Sequence, residues 1–161
     1  MASDSVSVTI RRAKPADHAG ILDCLTSAFA RYRNSYTPGA FLDTVLTPET
    51  LHKRMQEMTV LVAENPSQQV IGTVACKALN PEEGHLRGMA VRPEWQGAYV
   101  ARQLLECAEQ ELRALGCSVV TLDTTEPLDR AIRFYEQGGY RRTGRSTEFF
   151  GMRLIEYRKS L

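Results

Sequence analysis

With 161 residues, of which 43% are hydrophobic and 24% charged, the chain has the length and balance of one domain with a real core, which excludes a disordered or fibrous class. A formal net charge of +1 argues against a dedicated nucleic-acid or anionic-membrane surface. No apolar run approaches the ~18 residues that span a bilayer, and MASDSVSVTIRR has no apolar signal core, so a soluble, cytoplasmic protein with no membrane partner is expected.

SVTIRR (7–12) alternates as a strand does, and KPADHAG follows it with Pro15 suited to a first helical turn. Ile21, Leu22, Leu25, Ala28 and Phe29 then recur at helical spacing, predicting a helix over about 16–31 that NSYTPGAF breaks. Thr47, Pro48 and Glu49 read as an N-cap, a first-turn proline and a dipole-compatible acid, opening a short helix to about Met58. TVLVAE (59–64), QVIGTVACKAL (69–79) and HLRGMAV (85–91) are β-branched or apolar runs separated by the turn sequences NPSQ and NPEEG, a strand meander.

Val100, Leu104, Leu105, Ala108, Leu112 and Leu115 mark one face of a helix over about 98–115, with Gly116 at its end. CSVVTLDT (117–124) has the character of a buried parallel strand, and a helix from Pro127 through Ala131, Ile132 and Tyr135 ends at Gly138-Gly139. YRRTGR (140–145) and GMRLIEYRK (about 151–159) are two last strands, with STEFF between them. The order β-α-α-β-β-β-α-β-α-β-β describes one α/β domain over 1–161, a mixed sheet of about seven strands flanked by four helices.

Cys24, Cys76, Cys107 and Cys117 share no CxxC or CxxH spacing, and His18, His52 and His85 are scattered, so buried reduced thiols and no metal site are expected. A dinucleotide site is disfavoured too, since no GxGxxG follows the first strand.

The segment RPEWQGAYVARQLL (92–105), between a strand and a helix, resembles the phosphate-binding motif of the Gcn5-related N-acetyltransferase (GNAT) family, which runs Gln or Arg, two residues, Gly, one residue, Gly or Ala. Here it reads Gln96-Gly97-Ala98-Tyr99-Val100-Ala101, with Tyr99 where the family has its middle glycine. AIRFYEQGGY (131–140) is similar to the family's tyrosine-bearing helix, and the element order matches along nearly the whole chain. The resemblance implies a GNAT-like fold and acetyl-CoA as the co-substrate, with no metal.

Backbone N–H groups over 97–102 lie at a helix N-terminus, where donors without intrahelical partners suit a pyrophosphate. Gly97 permits close approach, and Arg102 adds a charge there or is simply solvated. Tyr99 is expected in ordinary helical space with negative φ, its N–H toward the phosphates and its ring outward against the adenine or a neighbouring chain, a homodimer being one assembly that fits.

In relatives, the strand here ending Met89-Ala90-Val91 binds the pantetheine arm through its backbone and polarises the thioester carbonyl, while the same side chains serve the core. Tyr135 matches the family's general acid and thiol contact, against the alternative of a buried structural tyrosine. His85 stands near the position of the family's base, Glu82 and Glu83 lying in a turn, and is otherwise a strand-end surface histidine. Tyr32, Tyr36, Phe41, Glu148 and Phe149 are the candidates for an aromatic, acidic acceptor pocket, or they pack the lid. The acceptor implied is a small-molecule amine or a protein or peptide N-terminus. A non-catalytic acyl-CoA-binding or sensing module of the same fold is the other reading.

Overall fold

The β-branched run TVLVAE forms β2 (Thr59–Glu64), and the short edge strand β1 (Thr9–Arg12) pairs with it antiparallel in the computed structural model, which describes residues 7–97 and 99–161. β3 (Val70–Ala78) and β4 (Glu83–Val91) continue the antiparallel meander. The two connecting turns are closed by asparagine side chains. Asn65 Oδ1 accepts from the N–H groups of Ser67 and Gln69, and Asn80 Oδ1 from those of Glu82 and Glu83, which is why each strand run stops there.

β5 (Val119–Thr125), β6 (Arg141–Phe149) and β7 (Met152–Ser160) complete a seven-stranded sheet of order β1-β2-β3-β4-β5-β7-β6, in which only β4 and β5 run parallel. Their crossover is α4 (Val100–Ala114), whose apolar stripe packs on the sheet face formed by Leu61, Ile71, Val74 and Leu86. Leu104 and Leu112 are wholly buried there, and truncating either to alanine costs about 2–5 kcal/mol. The opposite face carries a second core in which α1 (His18–Phe29) and α3 (Pro48–Glu57) cover Val60, Val62 and Ala75. α5 (Asp129–Gln137) follows β5.

Two expectations are corrected. NSYTPGAF does not merely break a helix: α1 runs into a 3-10 segment, Ala30–Ser35, and Pro38–Val45 forms a further helix, α2, so among the described residues five α-helices flank the sheet and not four. Thr37 accepts from the Ala40 N–H at 3.3 Å and Pro38 fills the first turn, the same device that Thr47 and Pro48 use for α3. STEFF is not a loop either, because Ser146 to Phe149 pair with β7 and the reversal is made by Phe150 and Gly151. Both have positive φ, 49° and 81°, as a tight hairpin turn matched to strand twist requires.

Candidate active site

The sheet opens where the sequence predicts a cofactor strand. β4 and β5 pair only over Glu83–Leu86 and Val119–Leu122, so the β4 backbone from Arg87 to Val91 has no partner on β5. A bulge helps to divert it. Thr73 pairs with Ala90 but Ala75 pairs with Arg87, which leaves an extra β4 residue between them, and Gly88 takes φ 67°. A cleft of about 940 Å³ enters the molecule at this splay, and Met89, Ala90 and Val91 line it.

Beyond Val91 the chain makes a 3-10 turn, Pro93–Trp95, held by Gln96. Its Nε2 donates to the Val91 carbonyl at 3.1 Å and its Oε1 accepts from Arg130 at 3.2 Å. Gln96 therefore shapes the loop and anchors it to α5. Gly97 has φ 85° and open space around its α-carbon. The first N–H groups of α4, at Val100, Ala101 and Arg102, face no residue one turn earlier in a helix and all three residues line the cleft. The Arg102 guanidinium is solvated at the rim, 3.8 Å from Glu106. Ala98, expected in the same cradle, lies outside the described residues.

Tyr99 corrects the expectation of negative φ. The helix starts at Val100, and Tyr99 precedes it as the N-cap residue with φ 64° and ψ 7°, a left-handed conformation. This is the geometry for which a glycine suits the middle of the motif, and a non-glycine residue held there is strained by about 1–3 kcal/mol. The residue is 71% exposed and also borders the cleft.

Tyr135, on α5, reaches the cleft wall one turn beyond Ala131, which lines it as well. Its ring packs edge-on against Tyr140 at 5.8 Å, and its hydroxyl makes no hydrogen bond with the described residues. Burial pushes its pKa well above the ordinary tyrosine value, so the hydroxyl keeps its proton at any physiological pH. Tyr140 Oη, by contrast, donates to Glu109 Oε2 at 2.8 Å, and Lys159 Nζ holds the same carboxylate at 2.9 Å. Thr124 Oγ1 on β5 is buried without a hydrogen-bond partner among the described residues, and the residue lines the cleft just past the last β4–β5 pair.

On the α1 and α3 side of the sheet, His85 is half-buried in the cleft wall. Its Nδ1 lies 2.9 Å from Thr121 Oγ1 and its Nε2 3.8 Å from Asp123 Oδ2. Burial lowers the imidazole pKa, opposed by Asp123, and burial raises the Asp123 carboxyl. Among the described residues, Tyr32, Tyr36 and Phe149 line this half of the cleft. The Tyr36 hydroxyl is 2.6 Å from Thr125 Oγ1, which ties the segment after α1 to the end of β5. Phe41 and Glu148 are not on the wall: Phe41 lies under the Arg33 guanidinium, 5.2 Å from its ring centroid, and Glu148 is exposed on β6 opposite Arg153.

Sequence reasoning missed Asp43, Arg54, Arg87 and Asp123, all on this wall. Strand alternation from His85 was the available signal for Arg87, and alternation from Thr121 for Asp123. The helical residues Asp43 and Arg54 carried none. Among the described residues, no group of three or more His, Cys, Asp or Glu is placed to hold a metal, no helix is long and apolar enough to cross a membrane, and the four cysteines are unpaired.

The chain matches the family model described as "Acetyltransferase (GNAT) family" over residues 22–140. Among solved structures it is similar to the PaiA N-acetyltransferase of Thermoplasma acidophilum in complex with coenzyme A, at 16% identity and TM-score 0.81 over 96% of this chain and 99% of that one. A GNAT-family acetyltransferase of Staphylococcus aureus Mu50 gives 16% identity and TM-score 0.79 over the same shares. A GNAT-family acetyltransferase of Elizabethkingia anophelis with acetyl-CoA bound gives 15% and 0.68, over 99% of this chain and 100% of that one.

Proposed function

The chain belongs to the acetyltransferase (GNAT) family, and we propose that it transfers an acetyl group from acetyl-CoA to a primary amine by direct attack in a ternary complex. The observation that carries this reading is the Tyr135 hydroxyl, without a hydrogen-bond partner among the described residues, on the wall of the cleft that opens at the β4–β5 splay, where burial favours its protonated form.

Acetyl-CoA supplies an acyl group activated as a thioester. The free backbone of Met89 to Val91 accepts the pantetheine arm as an added strand, and an N–H of this stretch polarises the carbonyl. The first-turn N–H groups of α4 and the open Gly97 hold the pyrophosphate. Thr124 Oγ1, unsatisfied as it stands, gains a polar partner from the arm.

His85 takes the proton of the attacking ammonium, directly or through a water; its lowered pKa keeps it neutral for that purpose. As the C–N bond forms and the C–S bond breaks, Tyr135 gives its proton to the departing thiolate, and the second proton shed by the nitrogen passes through water to the Tyr135 oxygen, which restores the hydroxyl as CoA leaves as the thiol. A general acid of this kind contributes about 10²–10⁴-fold in rate.

Calorimetric titration with acetyl-CoA, followed by thiol release against amines, amino acids and peptides, tests the reading. Binding with acceptor-dependent release supports it, and absence of binding overturns it. A protein or peptide N-terminus is the competing acceptor, which the same panel separates from a small amine. A second reading, an acyl-CoA-binding module without turnover, is favoured by the strained Tyr99 in the cradle. Binding with no release from any acceptor would select it.

A further inference from the structure

Arg54 stands in the last turn of α3, on the acceptor side of the cleft. Its Nη1 lies so close over Gly88 that a Cβ at that position would come within 2.7 Å of it. The bulge glycine thus gives up a side chain to the space in which the guanidinium sits. Desolvation is substantial: burial lowers the Arg54 pKa to about 10, with Arg87 adding to the effect. A charge withdrawn from water this far normally has a carboxylate to offset the cost. The buried Arg92 has one in Asp23 at 2.6 Å, and the largely covered Arg11 has two in Asp17 and Glu64, both at 2.7 Å.

Among the described residues Arg54 has none. Asp43, the acid that acts on it, is engaged by Arg87 at 2.8 Å. The other titratable groups of this wall, His85 and Asp123, face each other across 3.8 Å. The acceptor side therefore carries a guanidinium lacking an anion at one place and a carboxylate with a half-buried imidazole at another.

Resting on the acetyl-transfer reading, we infer that the acceptor amine also bears an oxoanion, a carboxylate or phosphonate, which the Arg54 guanidinium receives in its forked donor geometry. Arg87, fixed by Asp43, adds positive potential beside it. His85 and Asp123 receive the ammonium end, so the cleft is matched to a zwitterion and not to a simple alkylamine.

Matched pairs test this: phenylalanine against phenethylamine, leucine against isoamylamine, and aminomethylphosphonate against methylamine. For each, kcat/KM is measured, together with binding to the CoA-loaded protein by calorimetry. The wild type prefers the oxoanion-bearing member of at least one pair by about 30-fold or more, the range for a hydrogen-bonded charge. Arg54→Gln brings that ratio near one, and Arg54→Lys restores part of it. Equal handling of both members in all pairs by the wild type, binding of no oxoanion-bearing member, or a preference that survives Arg54→Gln overturns the inference. Selective binding lost in Arg54→Gln, without any acetyl transfer, would keep it and sink the transfer reading. Transfer without oxoanion preference would do the reverse.

Discussion

The imidazole Nδ1 of His85 lies 2.9 Å from the hydroxyl of Thr121, its register partner on the parallel strand beside it. Thr121 Oγ1 has its own acceptors in Glu83 Oε1 and the Gly84 carbonyl, both at 3.4 Å. These acceptors allow the tautomer in which Nδ1–H donates to Thr121 Oγ1, and in that tautomer Nε2 is the basic atom on the Asp123 side.

The pH dependence follows from the direction of the His85 shift. Because burial depresses its pKa, kcat/KM rises with pH through an inflection below the ordinary value of about 6.5. His85→Gln removes that acid limb, and Thr121→Val moves it and lowers kcat by about tenfold as the tautomer is released. The same depression makes its stability contribution fully present above the unfolded-state pKa and lost as pH falls through the folded-state value. A pH–rate profile of the three proteins checks the catalytic part; an acid limb unchanged in His85→Gln would remove His85 as the base.

Tyr135→Phe separates chemistry from folding. The hydroxyl has no partner to lose among the described residues, so the melting temperature stays within a few degrees. kcat at saturating acetyl-CoA falls by about 10²-fold or more. Unchanged turnover would eliminate the acid role.

Tyr140→Phe behaves in the opposite way. It takes a buried donor from Glu109, which keeps Lys159, and costs about 1–2 kcal/mol in urea denaturation. Loss of less than a few tenths would show that Lys159 alone satisfies the carboxylate.

Tyr99→Gly relieves a left-handed tyrosine at a position without a side-chain cap. It stabilises the protein by about 1 kcal/mol, measured by chemical denaturation, because strain relief exceeds the added entropy of the unfolded chain. With the residue 71% exposed, acetyl-CoA affinity changes by less than about threefold. A many-fold gain in affinity would mean that the ring obstructs the cradle.

Hydrophobic period carried most of the architecture: Leu104 and Leu112 on α4, and the β-branched runs of β2 and β3, each solve a burial problem visible in the chain. Local chemistry was less decisive. Thr37-Pro38 and Thr47-Pro48 are the same cap, yet the first follows the tyrosine-rich NSY and precedes Gly39, so it read as a break. The φ of Tyr99 depends on where α4 starts, and a shift of one residue reverses its sign. The donor half of the cleft was legible because a continuous backbone makes it. Arg54 was not, since its role comes from facing Gly88, 34 residues away in the chain, and helical periodicity places it among solvated charges.

The hydroxyl of Thr37 donates to the Phe150 carbonyl at 2.6 Å, which clamps the start of α2 to the tip of the β6–β7 hairpin. Donor contacts fall within 89–135, whereas the acceptor wall, beyond His85, Arg87 and Asp123 on the sheet, draws on 29–54 and on the hairpin. The clamp joins those two remote segments, and the Tyr36 hydroxyl holds them to Thr125 at the end of β5. Acceptor range is therefore open to change by exchanging residues 36–54 and the hairpin tip together, as a cassette, while either piece transplanted alone would arrive without its clasp.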